Sequence, residues 1–264
     1  LAQAQALGYA EADPTFDIEG IDAAHKISLL AANAFGMQVR FADAQVEGIT
    51  ALQGLDVACA EQLGYRIKLL GVAKRRKEGD AEGVELRVQP ALVPATHLLA
   101  HVNGSMNAVM VKGDASGVTM YYGAGAGSEQ TASAVIADLV DVARLQGTQA
   151  AQRVPHLGFH ADAVNDNLAV LPRAAVHTRH YLRVPVHQAQ QIEAVGAWLA
   201  AQQVPVARME LACEKAAPAG MGPQVLVLTD AVAQSTVDLA VHALAAHPAV
   251  AGPVAALRVE MLEG

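Results

Sequence analysis

Charge is scarce in this chain: 17% of its residues are Asp, Glu, Lys or Arg, while 53% are hydrophobic. That balance excludes a disordered polymer, because enough apolar surface is present to offset the entropy of ordering. Cysteine is almost absent. Cys59 and Cys213 lie far apart with no partner at Cys-x-x-Cys spacing, which excludes a cysteine-ligated metal site and predicts free thiols in a reducing, cytoplasmic setting. No apolar run is long enough to cross a membrane, and no signal-peptide pattern precedes the expected fold. A basic stripe is missing too. The formal net charge is -8, so nucleic acid is not an expected partner. The one basic run, Lys74 to Lys77, is flanked by Glu78 and Asp80 and reads as a solvated strand end.

With 264 residues the chain can form one large domain or two smaller ones. Its opening, Leu1-Ala2-Gln3-Ala4-Gln5-Ala6-Leu7, has helical composition without an initiator Met or a capping residue. The sequence is therefore expected to begin within a helix, as a fragment of a longer protein.

The pattern divides into residues 1–148, a connector over 149–178, and residues 179–264. In the first part Ile27, Leu30, Ala31 and Ala34 follow helical spacing, with Gly36 at the helix end. Tyr65–Lys77 and Val84–Pro94 read as strands joined by a loop over 78–83. In the second strand Val84, Leu86 and Val88 alternate with Glu85, Arg87 and Gln89. Met106–Val111 and Val118–Tyr122 form a second strand pair, and Ser128–Gln146 a helix. The expected class is α+β: a mostly antiparallel sheet with helices on one face. Pro155, Pro172 and Asn165-Asp166-Asn167 mark the connector. The last part alternates as strand Tyr181–Val186, helix Gln188–Gln203, strands Val206–Cys213 and Gln224–Thr229, helix Ser235–His247 and strand Val254–Met261. Ser235 and Asp238 suggest a capping box. This βαββαβ order is the ferredoxin-like pattern, which many functions share.

Chemistry concentrates near the start. Glu11, Asp13, Asp17, Glu19 and Asp22 place five carboxylates within 12 residues, and Lys26 follows. Asp13-Pro14 signals a turn and Gly20 ends the loop. Asp22 and Lys26, four apart, share a helix face. Such a loop can hold an amino-acid ammonium group and supply a proton donor. It can equally be a solvated acidic loop with an ordinary ion pair. His97/His101 and His156/His160 have i,i+4 spacing, but no carboxylate or cysteine completes a ligand set, so no metal is expected.

The stretch from Ala4 and Gly8 through Asp13-Pro14, Asp17, Gly20 and Asp22 to Lys26 resembles the homoserine dehydrogenase signature at every fixed position. The resemblance implies that Glu11, Asp17 and Asp22 bind substrate, and that Lys26 with Asp22 is catalytic, the lysine taking part in proton transfer. His101-Val102-Asn103-Gly104-Ser105-Met106-Asn107-Ala108 and the segment from Tyr122 to Val135 resemble later blocks of the same family. The glycine run lies between a strand and a helix N-terminus, where backbone can approach an anionic ligand. The resemblance places Gly123, Gly125, Gly127 and Glu129 near the cofactor, NAD or NADP. A dinucleotide fingerprint is the weaker reading, because its third glycine would fall on Ser128.

Residues 179–264 resemble an ACT domain, with Arg179-His180-Tyr181-Leu182-Arg183-Val184 as its opening strand. Such domains usually carry Asp and then Pro-Gly before the first helix. Here Val186-His187-Gln188-Ala189 stands there, so a structural or dimer-forming role is the alternative to binding threonine as an effector. The whole resemblance implies NAD(P)-dependent interconversion of aspartate β-semialdehyde and homoserine in threonine, methionine and isoleucine biosynthesis. It also implies a nucleotide-binding domain upstream of Leu1 and a homo-oligomer formed through the sheet containing Tyr65–Pro94. A non-catalytic amino-acid sensor and a dimerisation module are the other classes considered.

Overall fold

The computed structural model describes residues 13–78, 81–149, 153, 155, 158–165, 167–213 and 221–262. Glu11, His156 and the opening from Leu1 lie outside the described residues. The described chain starts with α1 (Thr15–Ile18) and α2 (Ile21–Phe35), followed by a 3₁₀ turn (Phe41–Asp43), β1 (Gln45–Val46) and α3 (Gly54–Gln62). Gly36 closes α2 at φ 59°, the left-handed cap its position predicts.

A long hairpin organises the main sheet. β2 (Tyr65–Glu78) and β3 (Ala81–Pro94) pair antiparallel from Tyr65↔Pro94 to Glu78↔Ala81. The pairing runs past the loop predicted over 78–83, because Arg75 and Glu82 form a 2.7 Å diagonal ion pair across it. The other edge of β3 meets three short parallel partners in succession. These are β6 (Ala169–Val170) at Gly83–Val84, β1 at Arg87–Val88, and β11 (Ala255–Val259) at Ala91–Leu92.

Through β11 the sheet continues, antiparallel throughout, into β7 (His177–Pro185), β9 (Gln224–Thr229) and β8 (Val206–Leu211). Helix α5 (Ile192–Ala201) follows β7, and α6 (Gln234–Leu244) follows β9 and the short β10 (Val232–Ala233). The last part is therefore βαββαβ, with its four main strands ordered fourth, first, third, second. Ser235 does not cap α6. The cap position is Ala233, while Ser235 Oγ donates to the Ala174 carbonyl and Gln234 Nε2 donates to Asp238.

Successive residues of β7 and β9 face different cores. Leu182, Val184, Val225 and Val227 pack with Val195 and Leu199 of α5 and with Val237 and Leu244 of α6. Tyr181, Leu226 and Leu228, with Leu257 and Val259, pack on Leu55, Cys59 and Ala60 of α3. A third core joins Ala31 of α2 to Met37, Val84, Leu86 and Leu168. Helices α2 and α3 thus lie on one face of β3, as the sequence predicts for the first part, and the joined sheet is covered on its other face by α5 and α6 of the last part. The reason is composition: every residue of β9 is buried, so neither of its faces can be left to water.

The polar residues of β3 are buried as well. Glu85, Arg87 and Gln89 are 1%, 0% and 6% exposed. Arg87 Nε donates to Glu85 Oε1 at 2.6 Å, and its Nη2 donates to Glu260. Arg258 Nη1 donates to Glu85 at 3.3 Å. Lys74 and Arg76, expected in solvent, close the cluster from β2 at 2.8 Å from Glu260 and 2.9 Å from Glu85. Burial alone would raise both carboxyls, but Arg87, with Arg76 beside Glu85 and Lys74 beside Glu260, holds them below the usual range. Alternation shows which residues share a face, not that Arg258 and Glu260 will meet them there.

One hairpin and one helix stand apart from these cores. β4 (Met106–Gly113) and β5 (Gly117–Ala124) form their own antiparallel hairpin. Helix α4 (Ser128–Leu145) buries no residue and exposes Val135, Ile136, Leu139 and Val142. Among the described residues no helix is long and apolar enough to cross a membrane.

Candidate functional site

The acidic segment folds as two short helical steps around a glycine. Asp13 accepts hydrogen bonds from Thr15 Oγ1 at 2.6 Å and from Thr15 N at 3.1 Å, which starts α1. These bonds, the side-chain one foremost, hold the Asp13 carboxyl below its ordinary value. Asp17 lies in α1, and Gly20 joins α1 to α2 at φ 77°. The positive φ favours glycine there, and a Cβ would also crowd Val88 Cγ1 at 3.0 Å. Ile49 N donates to the Ile18 carbonyl and Glu47 N to the Val88 carbonyl, pinning the segment to β3.

Asp22 begins α2, and Lys26 follows one turn later. Lys26 Nζ lies 2.5 Å from Asp22 Oδ2, with side chains 66% and 39% exposed. The i,i+4 pair read from the sequence is therefore present, and its ammonium is open to a ligand. A feature the motif does not reveal sits beside it. The ring of His25 stacks between Phe41 at 4.2 Å and Phe16 at 5.8 Å, with 16° between planes in each case. Phe41 lies far along the chain, so spacing carries no signal of this contact.

The glycine run forms the passage from β5 into α4. Gly123, next to last in β5, pairs with Asn107. A Cβ on Gly125 would fall 1.3 Å from Asn107 Nδ2, and Gly125 N donates to the Ser105 carbonyl at 3.3 Å. Gly127, at φ 134°, is the N-cap of α4 and makes no side-chain cap bond, while Glu129 lies in the first turn. The helix start thus presents backbone N–H groups and a positive end of its dipole. The structure therefore unites the glycine run with the Asn103–Asn107 block. The acidic segment and the glycine loop are held by separate interactions among the described residues.

Sequence reasoning missed Lys68 of β2. Its Nζ donates to the Val102 carbonyl at 2.5 Å and to Asn103 Oδ1 at 3.0 Å, tying the block before β4 to the long hairpin. Burial, with Arg66 nearby, lowers its pKa. The role of Arg183 has no signal in the spacing either. It donates to Asp56 at 2.6 Å, and to Gln53 and Gln224 at 3.1 Å each, joining β7 to the start of α3. His97 caps and His101 ends a 3₁₀ turn, not an α-helix, and His97 Nδ1 accepts from Leu99 N. Among the described residues no three His, Cys, Asp or Glu gather as metal ligands would.

This geometry has known counterparts. A model of the homoserine dehydrogenase family matches residues 1–140. The chain is 49% identical over 262 residues to a homoserine dehydrogenase of Pseudomonas aeruginosa, covering 99% of this chain and 59% of that protein. It is 44% identical over 263 residues to one of Neisseria gonorrhoeae, with the same coverage. Among solved structures, a homoserine dehydrogenase from Thiobacillus denitrificans superposes with a TM-score of 0.86 at 48% identity, over 98% of this chain and 57% of that one. A Staphylococcus aureus homoserine dehydrogenase gives 0.69 at 30% identity, over 99% and 58%. The chain therefore spans 59% of the length of the two curated relatives.

Proposed function

Because the chain belongs to the homoserine dehydrogenase family, we propose that it supplies the substrate site of an oxidoreductase that interconverts homoserine and aspartate β-semialdehyde. The observation that carries this reading is the α1–Gly20–α2 unit, which exposes Lys26 paired to Asp22 one short turn after the helix that carries Asp17. A nicotinamide cofactor, NAD or NADP, would supply hydride transfer. Gly123, where a Cβ would meet nothing within 4 Å, leaves backbone open to a close-approaching ligand, while Gly125 and Gly127 let the loop pass Asn107 and Gln130 on its way into α4. Glu129 would border the same site.

Glu11 and Asp17 receive the substrate ammonium group as carboxylate partners. Asp22 orients Lys26. Lys26 holds the substrate oxygen and passes its proton as alcohol and aldehyde interconvert. Residues 1–148 form the substrate-binding part, 149–178 the connector, and 179–264 an ACT-like regulatory part whose effector, threonine or another amino acid, reports on threonine, methionine and isoleucine biosynthesis.

The described residues contain no doubly wound dinucleotide fold. The main cofactor surface is accordingly assigned to the portion of the longer relatives that this chain does not span. The exposed apolar side of α4 is available to meet that portion. Among the described strands β2 pairs only with β3, leaving an open edge for a second copy. Light scattering at micromolar concentration should return at least a dimer.

The direct experiment follows nicotinamide reduction with homoserine. The full-length protein should turn over and the 264-residue chain alone should not. Turnover by the chain alone would contradict this division of labour. Thermal shifts separate a second reading: a pure sensor of residues 179–264 would respond to threonine and not to homoserine.

A further inference from the structure

The chain has four phenylalanines, and two of them sandwich one histidine. Phe16 and Phe41 are 51% and 40% exposed and belong to none of the three cores, so burial does not account for their placement. Near-parallel rings attract through offset stacking, which can shift a local opening equilibrium by about two- to tenfold per pair. The three rings come from three elements: α1, α2 and the 3₁₀ turn that begins at Phe41.

Those elements differ in how firmly they are held. Helix α2 sits on the third core through Ile27 and Ala31. The turn is locked by Arg40, whose Nη2 and Nε donate to Asp43 at 2.8 and 3.1 Å. Helix α1 has four residues and buries none of them. Isolated helices of that length do not persist in water, so α1 depends on attachments: the bond from Ile49 N to the Ile18 carbonyl at its end, and the Phe16 ring on His25. We propose that His25, clasped between Phe16 and Phe41, is a positioning residue that fixes α1, and with it Asp17, against α2. Its catalytic consequence rests on the substrate-site reading above.

The consequence is selective. Asp22 and Lys26 share one helix and keep their ion pair without the stack. Asp17 is adjacent to Phe16 and moves with α1. Loosening the stack therefore weakens binding of the substrate ammonium more than it slows proton transfer, a split between KM and kcat.

The test compares His25→Ala, Phe41→Ala, His25→Phe and His25→Asn in the full-length protein. The two alanine variants should raise KM for homoserine by about fivefold or more, with kcat changed less than about twofold. His25→Phe retains a stacking ring and should keep KM near wild type; His25→Asn retains a polar nitrogen without the ring and should not. Hydrogen exchange supplies a readout independent of activity. Protection of Asp17, Ile18, Glu19 and Gly20, whose amides donate to Pro14, Thr15 and Asp17 carbonyls, should fall in both alanine variants and persist in His25→Phe. Unchanged exchange in the alanine variants overturns the clamp, as does rescue by asparagine instead of phenylalanine. If wild-type protein fails to turn over homoserine, the functional reading falls, and exchange still decides the clamp.

Discussion

Lys26 carries the proposed proton transfer while contributing little to folding. Its pair with Asp22 is largely solvated, and exposed pairs are worth about 0–1 kcal/mol. Lys26→Ala in the full-length protein is therefore expected to lower kcat by about a hundredfold or more while leaving Tm within about 4 °C. Lys26→Arg keeps charge but changes donor geometry and cannot release a proton, so it should rescue poorly. Near-normal kcat in Lys26→Ala would remove the lysine from the mechanism. His180 is the opposite case, 1% exposed, with its pKa pushed down to about 4 by burial against the opposing Gln234 hydrogen bond. Above its ordinary value of 6.5 the ring is neutral folded or unfolded, and pH has no effect through it. Between 6.5 and about 4 only the unfolded chain binds the proton, so stability falls with pH by up to about 1.4 kcal/mol per unit. His180→Gln should flatten that slope in denaturant titrations across this window; an unchanged slope would assign it to other groups.

At the scale of elements, the buried ions of β3 bind strands that lie far apart in sequence. Glu260 follows β11 and answers Arg87 of β3 and Lys74 of β2. Removing one member leaves charges buried without a partner, which costs about 3–5 kcal/mol. Glu260→Ala should lower stability by that order, whereas Arg75→Ala, which breaks the exposed pair with Glu82, should cost about 1 kcal/mol or less. Equal effects in chemical denaturation would mean the network is not a structural tie. The same cluster sets the acid limit. Because Glu85 and Glu260 are held below the usual carboxylate range, their contribution is present above the unfolded pKa and disappears as pH falls through the folded one.

Across the whole molecule, residues before and after the connector share one sheet and one core. β11 pairs both β3 and β7, and Leu55 and Cys59 of α3 pack on Tyr181, Leu226 and Leu257. Ending the chain at residue 178 would strip α3 of that cover and leave Glu85 and Arg87 without Glu260 and Arg258. Such a fragment is expected to lack a cooperative thermal transition by circular dichroism, while the 264-residue chain unfolds in one step. A fragment that melts cooperatively near the parent temperature would show that the first part folds by itself.

Local pattern alone determined a good deal. Helical spacing and Gly36 marked α2, apolar runs marked β7 and β9, and the βαββαβ order of the last part came from element succession. The acidic segment and the Asp22–Lys26 pair were legible too, because i,i+4 proximity is a property of the helix itself. Only the tertiary structure decided what covers each face. Glu85, Arg87 and Gln89 alternate like solvent-facing residues, yet they are buried, with Arg258 of the neighbouring β11 bonded to Glu85 and Glu260 bonded to Arg87. Periodicity fixes the direction of a side chain relative to its neighbours, whereas its surroundings come from distant segments: Arg87 and its partner Glu260 are 173 residues apart. The stack of Phe16, His25 and Phe41 belongs to the same class: three rings on three elements, brought into one column by packing that no spacing along the chain encodes.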